Sequence, residues 1–451
     1  MDSIISVIGT YVSWDLKSLL LFAAVFIITA DYIKNRRPAG YPPGPRGLPI
    51  MGNLFTIDQN RLAERYGNVY SLRMGQERMV VLNGFDILKE ALVTFKVLFC
   101  LLSPLYFWSG VFTSSGNLWK QQRRFVLSTL RQFGFGKKSL ESVVLDEFTY
   151  CAKNIRSKPF DPHLILNNAV SNIICSLVFG HRFEYGEEKF IKMMQLFDKA
   201  LQIEGSIWGQ LYNAFPVLMR RLPGPHQSVK QMWNEVKDFI WVELNEHKNT
   251  WDPSETRDYI DCYLSEIQMN KGQDDNTFDE ENLVICVLDL FVAGSETTST
   301  TLRWAFLYMA KYPEIQEKVQ AEIDREIGES RQPSMEDRAN LPYTDAVIHE
   351  IQRIGNIAPL GVPHVTNRDV ELGGYTVPKG VIVIPNLTSV LFDKKEWETP
   401  HTFNPNHFLN EECKFVKRAA FLPFSLGKER LCRYFINVCA RFFSSLSKHA
   451  L

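Results

Sequence analysis

Cysteine, charge of a dominant sign and internal repeats are all scarce in this sequence. Only 8 cysteines are spread over 451 residues, which argues against a small scaffold held together by disulfides. The 50 lysines and arginines are balanced by 51 aspartates and glutamates, so the chain carries no overall basic field for nucleic acid. No segment repeats at a fixed period, which argues against solenoids and propellers.

Apolar residues, by contrast, are abundant. They make up 45% of the chain, and phenylalanine alone contributes 31 residues. A disordered protein would have few apolar residues and a high net charge, so that class is excluded. A chain of this length can bury a large core, and helical patterns outnumber short β-rich runs. We expect a mainly α fold with small β-sheets in a single large domain.

An apolar segment near the amino terminus is followed by basic residues. The window Tyr11–Ala30 is long enough to cross a bilayer, which takes about 20 residues. Lys34, Arg36 and Arg37 follow it, and positive charge stays on the cytosolic side. A cleaved secretory signal, the alternative interpretation, would carry its positive charge before the apolar run. The segment therefore predicts an uncleaved anchor with the remaining chain in the cytosol, where disulfides are not expected.

These features divide the chain into an anchor with its basic flank at 1–37, a proline-rich hinge at 38–50 and a large domain at 51–451. Prolines fix φ, so the hinge is a stiff spacer. Two hairpins are predicted in the domain: Val69–Met74 with Arg78–Leu82, and Glu371–Val377 with Val381–Ile384. A long helix is predicted from the capping-box pattern Thr277-x-x-Glu280 towards Pro313, and a second helix at Leu341–Ile354.

Two motifs near the carboxyl half carry possible chemistry. The run Phe421–Cys432 (FLPFSLGKERLC) contains Gly427 five residues before Cys432. Glycine allows close approach of backbone to a bound group, and a cysteine in such a loop can present a thiolate to iron, although most cysteines are simply buried. In Glu350-Ile-Gln-Arg353, residues three apart share one helix face and can pair, but surface pairs of this kind are common.

Two further motifs lie earlier in the chain. Ala293-Gly-Ser-Glu-Thr-Thr298 interrupts the predicted long helix, because glycine weakens a helix and hydroxyls can bond carbonyls and bend it. A bend with an acid and a hydroxyl suits proton delivery to a bound ligand, and an exposed Ser/Thr turn is the alternative. Trp119-Lys-Gln-Gln-Arg123 places an indole and a guanidinium one turn apart, where both can bind a carboxylate.

Taken together and in this order, the motifs resemble the cytochrome P-450 family of haem-thiolate mono-oxygenases. The resemblance covers nearly the whole chain, from the apolar segment and Pro-Pro-Gly-Pro hinge through W-x-x-x-R, A-G-x-E-T-T and E-x-x-R to the F-x-P-x-H-F run at Phe403–Phe408 and the cysteine loop. The amino-acid sequences of three segments are similar to those of the vertebrate microsomal family 2, subfamily J: Leu118–Phe125, Leu360–Pro363 and Phe403–Leu409. Its members oxidise fatty acids and drug-like apolar molecules.

The resemblance implies a role for each motif residue. Cys432 would be the axial ligand of a haem b iron, above Phe424 and Gly427, and Thr297 with Glu296 would relay protons. Glu350 and Arg353 would lock the core, with His407 nearby. The haem propionates would be held by Trp119, Arg123, His364 and Arg430.

The resemblance also implies partners and a location. Electrons would come from NADPH through a membrane reductase docked on a basic face that includes Lys120, Arg124, Lys428 and Arg433, and cytochrome b5 is a further candidate. Small apolar substrates would bind near Phe291, Ala293, Thr297, Ile357–Val362 and Leu201–Pro216. The protein would be a single-pass protein of the endoplasmic reticulum membrane that binds no nucleic acid.

The cysteine loop departs from the family pattern. Two residues, Lys428 and Glu429, separate Gly427 from Arg430 where the family has one, and Tyr434 replaces a glycine. We also expect the carboxyl end to be shortened relative to the family. A catalytically impaired or non-catalytic membrane-anchored relative with defective haem binding is therefore an alternative hypothesis. A haem-thiolate isomerase is a third, disfavoured because isomerisation does not need the proton relay of Glu296 and Thr297.

Overall fold

The computed structural model describes residues 16–55, 59–94, 98–99, 110–111, 114–133, 139–155, 161–273, 275–328 and 331–426. Helices dominate these residues, and the strands are short. Before the long helix predicted above, the helices are α1 Leu16–Lys34, α2 Gln59–Tyr66, α3 Phe85–Lys89, α4 Gly116–Gln132, α5 Ser139–Ile155, α6 Pro162–Val178, α7 Glu188–Gly205, α8 Ile207–Ala214, α9 Pro216–Met219, α10 His226–Thr250 and α11 Tyr259–Met269. The prediction of a mainly α fold is confirmed.

The later helices surround the candidate site. They are α12 Glu280–Phe291, α13 Thr297–Lys311, α14 Pro313–Ile327, α15 Pro342–Gly355 and α16 Thr388–Leu391. A wider π-helical turn follows α3 at Glu90–Thr94, and another joins α12 to α13 at Val292–Glu296. Tight 3₁₀ turns occupy Met335–Asn340 and Pro405–Phe408. The predicted helix Leu341–Ile354 is confirmed as α15, shifted by one residue at each end.

The long helix is also present, but its amino-terminal cap differs from the prediction. Asp279 caps α12, because its carboxylate accepts a hydrogen bond from the backbone N–H of Asn282. Thr277 instead bonds the side chains of Gln121 and Gln122 on α4. The capping-box prediction was therefore wrong, since tertiary contacts recruit the threonine and leave the aspartate two residues later to satisfy the helix end.

A five-stranded sheet packs beside the helices. Its strands run in the order β1 Val69–Met74, β2 Glu77–Leu82, β7 Ile382–Pro385, β4 His364–Val365 and β3 Leu98–Phe99. The hairpin of β1 and β2 confirms the prediction, with Val69 opposite Leu82. β2 and β7 are parallel, whereas β4 is antiparallel to both β7 and β3.

The second predicted hairpin was wrong. The stretch read as one strand, Glu371–Val377, folds on itself as β5 Val370–Leu372 and β6 Tyr375–Val377. Gly373 and Gly374 between them have φ of +55° and +81°, the positive values that a two-residue hairpin turn needs and that glycine tolerates. The following run joins the larger sheet as β7 instead of pairing with β6.

The long helix passes through the main apolar core. Every residue from Leu283 to Phe291 is buried. Among the described helices, Glu280–Lys311 alone has the length and apolarity to cross a membrane, but 72% of its most apolar window is buried inside the protein. It is therefore a core helix, and its residues define one wall of the site described next.

Candidate active site

The motif Ala293-Gly-Ser-Glu-Thr-Thr298 lies where the long helix loses its α-helical form. Val292–Glu296 is a π-helical turn, a feature that occurs often at functional sites because it widens the helix locally. Ala293, Gly294 and Ser295 are buried there. Ser295 Oγ is buried without a hydrogen-bond partner in the described chain, so the turn is not fully satisfied by its own residues.

Thr297 and Glu296 point to different partners at this turn. The Thr297 hydroxyl donates to the carbonyl of Ala293 at 2.6 Å. The Glu296 carboxylate accepts hydrogen bonds from Thr300 Oγ1 at 2.9 Å and from Arg303 at 3.4 Å, and its side chain is 38% exposed. The predicted pair is adjacent, but the hydroxyl faces inward along the helix whereas the acid has access to solvent.

Trp119 and Arg123 lie one turn apart on α4, as their spacing predicted. The Arg123 guanidinium carbon is 5.5 Å from the centre of the Trp119 ring. Both side chains are half-buried. The indole N–H and the guanidinium thus form a compact pair of donors near the amino-terminal end of α4.

A residue that sequence reasoning missed fixes α4 in place. The Gln122 amide donates to the carbonyl of Thr277 at 2.8 Å, and its oxygen accepts from the Tyr263 hydroxyl at 2.7 Å. Gln122 is fully buried, so these bonds are made out of water, where a lost partner is costly. It therefore sets the position of Trp119 and Arg123, although in the sequence it looks like one polar residue among several.

Asp289 is a second missed residue. Its carboxylate accepts the backbone N–H of Val111 at 2.6 Å. Gly110 has φ +79°, and a Cβ there would lie 2.5 Å from the same carboxylate. Glycine is therefore required at position 110. The only feature of the sequence that could have indicated a role for Asp289 is that it is an acid within the apolar run of α12.

His364 lies on β4, in the interior of the sheet. It is 3% exposed, and burial lowers the pKa of its imidazole to about 4. The ring is therefore neutral at pH 7 and carries a single N–H donor. Phe424 is half-buried and lies two residues before Leu426, where the described part of the chain ends. Gly427, Arg430 and Cys432 lie outside the described residues.

Glu350 and Arg353 form a closed ion pair on α15. Arg353 donates to both carboxylate oxygens, at 2.8 and 2.7 Å, and both side chains are 0% exposed. The guanidinium also donates to the carbonyls of Leu391, Pro400 and Thr402 at 2.7, 2.7 and 3.2 Å. A single side chain thus joins α15 to the last residue of α16 and to two points of the loop that follows α16.

His407 completes this cluster. Its Nδ1 lies 3.2 Å from Glu350 Oε2, and its Nε2 accepts the backbone N–H of Thr399 at 3.2 Å. Since Nε2 accepts, the ring proton lies on Nδ1 and donates to the carboxylate. The other Glu350 oxygen accepts the N–H of Asn404 at 2.9 Å. These contacts form two separate groups among the described residues. One contains Glu350, Arg353 and His407, and the other contains Trp119 and Arg123.

The described donors fit a haem. An indole N–H, a guanidinium and a neutral imidazole are suited to bind two propionates, and they are carried by the immobilised elements α4 and β4. The turn at Val292–Glu296 contributes the small residues Ala293, Gly294 and Ser295. The described residues hold no group that conflicts with this use.

Comparison with known proteins agrees with this site chemistry. The cytochrome P450 family model matches residues 42–432. Human cytochrome P450 2J2 is 48% identical over 451 residues, covering 95% of this chain and 89% of that protein. Rat cytochrome P450 2J3 is 48% identical over 433 residues, covering 92% and 86%, and rabbit cytochrome P450 2B4 is 40% identical over 435 residues, covering 93% and 88%.

These similarities confirm the predicted resemblance to vertebrate family 2 and its subfamily J, and they favour the enzyme over its non-catalytic alternative. The family uses haem b with electrons that come from NADPH through a reductase, and it acts on apolar substrates. The chain belongs to the cytochrome P450 family of mono-oxygenases.

Proposed function

We propose that this protein inserts one oxygen atom from O₂ into fatty acids, including polyunsaturated ones, or into drug-like apolar molecules, beside the turn Val292–Glu296. The observation that carries the proposal is this turn, because it combines a widened helix, a hydroxyl at Thr297 and apolar neighbours. Phe291, directly before the turn, is 3% exposed, and Ala293, within it, is 4% exposed. Apolar lining with few polar groups is typical of sites for small apolar ligands.

The residues that would hold the haem are those of the sequence motifs. Cys432 would bind the iron through its thiolate, Phe424 and Gly427 would pack against the macrocycle, and Trp119, Arg123, His364 and Arg430 would bind the propionates. When bound, haem supplies an iron centre that activates oxygen, with a thiolate ligand that favours O–O cleavage. The protein's own contribution is to hold, orient and deliver protons.

Thr297 is the inner proton carrier in this proposal. Its hydroxyl donates to Ala293 and keeps its oxygen free to accept, since a hydroxyl has one proton and two lone pairs. Glu296, which is partly exposed, would exchange protons with solvent and pass them inward after a side-chain rotation away from Arg303. A positioned acid or hydroxyl of this kind accelerates proton transfer by about 10²–10⁴-fold.

Two further segments would complete the substrate pocket. Ile357–Val362 follows α15 and leads to β4, and Leu201–Pro216 covers the end of α7, α8 and the start of α9. The loop Ile357–Val362 and the junctions between the short helices of Leu201–Pro216 vary in shape more readily than the long helix does. They would select the substrate, whereas the turn at Val292–Glu296 supports the chemistry common to all of them.

The protein would be anchored in the endoplasmic reticulum membrane by Tyr11–Ala30. Within the described part of this segment, the apolar side chains of α1 are exposed, for example Leu20 at 60% and Phe26 at 63%. A second exposed apolar group lies on α8 and α9 and just beyond them: Ile207, Trp208, Val217, Leu218 and Leu222. Exposed apolar surface of this extent marks an interaction with membrane or protein.

The reductase, and cytochrome b5 as a second electron donor, would dock on the basic side of α4. Lys120 and Arg124 are exposed there, on the same helix as Trp119 and Arg123. Lys428 and Arg433 of the cysteine loop would belong to the same face. Positive charge on this surface would steer an acidic partner towards the haem side of the molecule.

The proposal is tested by the carbon monoxide difference spectrum of the reduced full chain, followed by product analysis with a fatty acid. A thiolate-ligated haem absorbs at a different wavelength from one with a neutral ligand. We expect the thiolate band in the parent, its loss in Cys432→Ala and its retention in the matched control Cys439→Ala. The non-catalytic alternative would be supported if the band is absent both from the parent and from a variant in which Glu429 is deleted and Tyr434 is replaced by glycine.

Membrane anchoring has its own test. The full chain should stay in the membrane pellet during alkaline carbonate extraction, whereas a chain that starts at Pro42 should be extracted. Release of the full chain by carbonate would contradict an integral anchor, and this result does not depend on haem content.

A further inference from the structure

A small polar cavity lies between the end of α1 and the hairpin of β1 and β2. Its volume is about 70 Å³, which is room for more than one water molecule. It lies at the opposite end of the chain from the cysteine loop, and none of the residues assigned to the haem lines it. The lining residues that the argument uses are Arg37, Tyr41, Asn53, Arg73 and Arg78.

Two hydrogen-bond donors at this cavity have no partner among the described residues. The Tyr41 hydroxyl and the Asn53 amide nitrogen are both buried and unbonded, and Asn53 as a whole is 2% exposed. The Asn53 amide oxygen accepts the backbone N–H of Arg73 at 2.9 Å, which fixes the nitrogen as the unsatisfied end. Unsatisfied buried donors are costly, so a structure that keeps two at one cavity points to an acceptor that fills it.

The charge around the cavity is positive. Arg73 is neutralised, because it binds both oxygens of Asp31 at 2.8 and 3.0 Å. Arg37 and Arg78 form no ion pair within the described part of the chain, and they donate only to backbone carbonyls: Arg37 to Gly44 and Pro45, and Arg78 to Lys34 and Arg36. Carbonyls orient a guanidinium without cancelling its charge, so two positive charges remain.

Arg37 and Arg78 line the same cavity as Tyr41 and act on its hydroxyl. Burial raises the pKa of the Tyr41 hydroxyl above its usual value, and the charges of Arg78 and Arg37 offset only part of this rise. Both guanidinium groups therefore act on the hydroxyl at the cavity wall. A phenol donor, an amide donor and two arginines form a set suited to a tetrahedral oxyanion, since arginine matches phosphate oxygens with paired N–H groups.

We propose that this cavity binds a phosphate group, either free or on an anionic lipid headgroup. The lipid source is attractive because Arg37 and the end of α1 directly follow the proposed anchor, which would place the cavity at the membrane surface. Binding of a phosphate group itself does not rest on that anchor. The site would fasten the end of α1 to the sheet whenever a phosphate is present.

The test is equilibrium dialysis of radiolabelled inorganic phosphate against the full chain in micelles of a phosphate-free detergent, at constant ionic strength. We expect one saturable site per chain. Tyr41→Phe, which removes only an unbonded hydroxyl, should weaken phosphate binding about tenfold, because a hydrogen bond to a charged group is lost. Arg78→Gln should weaken it at least as much.

Arg46→Gln is the matched control. Arg46 lies between Pro45 and Gly47, which both line the cavity, but its own side chain is exposed and does not. The substitution Arg46→Gln removes one positive charge from the same hinge, and it should leave the phosphate affinity within twofold of that of the parent. Absence of a saturable site, or equal weakening in Arg46→Gln and Arg78→Gln, would overturn the proposal in favour of a diffuse basic surface.

Competition identifies the source of the phosphate. Short-chain phosphatidylserine that displaces the label at lower concentration than unlabelled phosphate would assign the site to a lipid headgroup. Displacement by inorganic phosphate with no effect of the lipid would assign it to free phosphate. Both results support a phosphate site, and neither depends on mono-oxygenase activity.

Discussion

The Glu350–Arg353–His407 cluster and the turn at Val292–Glu296 differ in how completely their polar groups are satisfied. In the cluster, each Glu350 oxygen accepts two donors, and all three guanidinium nitrogens of Arg353 are bonded. In the turn, Ser295 Oγ has no partner among the described residues, and the Glu296 side chain is 38% exposed. The polar groups of the cluster all have partners, whereas the turn retains polar groups that can still form hydrogen bonds.

This difference follows from what each region must do. A buried ion pair survives only if its geometry is excellent and its remaining donors and acceptors are satisfied, so the cluster has no group left for a ligand. Proton transfer, in contrast, needs a hydroxyl that can change partners. Substitutions in the cluster should therefore reduce stability, whereas substitutions in the turn should change chemistry with little effect on stability.

The largest expected effect is that of Arg353→Leu. The change leaves the Glu350 carboxylate buried without its counter-charge, and breaking a buried pair in this way costs about 3–5 kcal/mol. We expect the free energy of unfolding in urea to fall by that amount, or the protein to fail to accumulate. Arg325→Leu is the control, since Arg325 is 67% exposed and, among the described residues, forms an ion pair only with its neighbour Glu326.

A double-mutant cycle separates the charge from simple loss of packing. If the unpaired carboxylate causes the loss, Glu350→Leu combined with Arg353→Leu should be less destabilised than the sum of the two single changes. Additive effects would show that the pair is not coupled, and that the carbonyl contacts of Arg353 carry the stability instead.

Thr297→Ala should have the next largest effect, and mainly on chemistry. Loss of the hydroxyl that bonds Ala293 should lower product formation by about 100-fold, at the lower end of the range for a lost proton donor, while NADPH consumption continues and peroxide rises. Thr301→Ala is matched to it, because Thr301 makes the same hydroxyl-to-carbonyl bond one turn later, to Thr297 at 2.7 Å. The measurement is peroxide released per NADPH consumed.

An unchanged ratio in Thr297→Ala would remove the hydroxyl from the mechanism. An equal rise in Thr301→Ala would attribute the effect to the bend of the helix. Thermal unfolding of both variants should stay close to that of the parent, in keeping with a region that is not part of the closed cluster.

The sequence predicted the closed cluster only in part. The spacing of Glu350 and Arg353 was sufficient for a pair on one helix face. The carbonyls of Leu391, Pro400 and Thr402 lie 38 to 49 residues further along the chain, and no local pattern marks a backbone acceptor. Motif spacing therefore predicted the ion pair, while its burial and its connection to α16 and the loop after it depended on the tertiary fold.

Other differences have local physical causes. The turn Gly373-Gly374 was a readable hairpin signal that was overlooked inside a β-rich run, whereas Gln122 gave no signal, because a buried amide and a surface amide look alike in a polar stretch. The break in the long helix was predicted from Gly294 and its hydroxyl neighbours. The direction of the Glu296 side chain was not, since it depends on Thr300 and Arg303.

The smallest expected effect concerns His247, a buried histidine that lies outside both regions. It tests whether stability is independent of pH whenever every hydrogen-bonding group of a buried cluster has a partner. His247 Nε2 lies 2.9 Å from Asp258 Oδ2, and its Nδ1 lies 2.8 Å from the carbonyl of Glu243. Both ring nitrogens face acceptors, so the ring is fully bonded only as the cation. In His407 one nitrogen accepts an N–H instead, and the neutral ring is sufficient.

Burial alone would lower the pKa of His247, but the hydrogen bond to Asp258, the charges of Asp258 and Asp261 and the Glu243 carbonyl together outweigh burial and raise this pKa. The folded pKa is thus above the unfolded value of about 6.5. The contact stabilises the fold fully below that pH, and its contribution is lost as pH rises through the folded pKa. His247→Gln should lower the free energy of unfolding by about 1–2 kcal/mol at pH 6 and by less at pH 9, whereas the exposed control His401→Gln should show no such difference. A constant difference across this range would mean that His247 stays neutral in the folded protein.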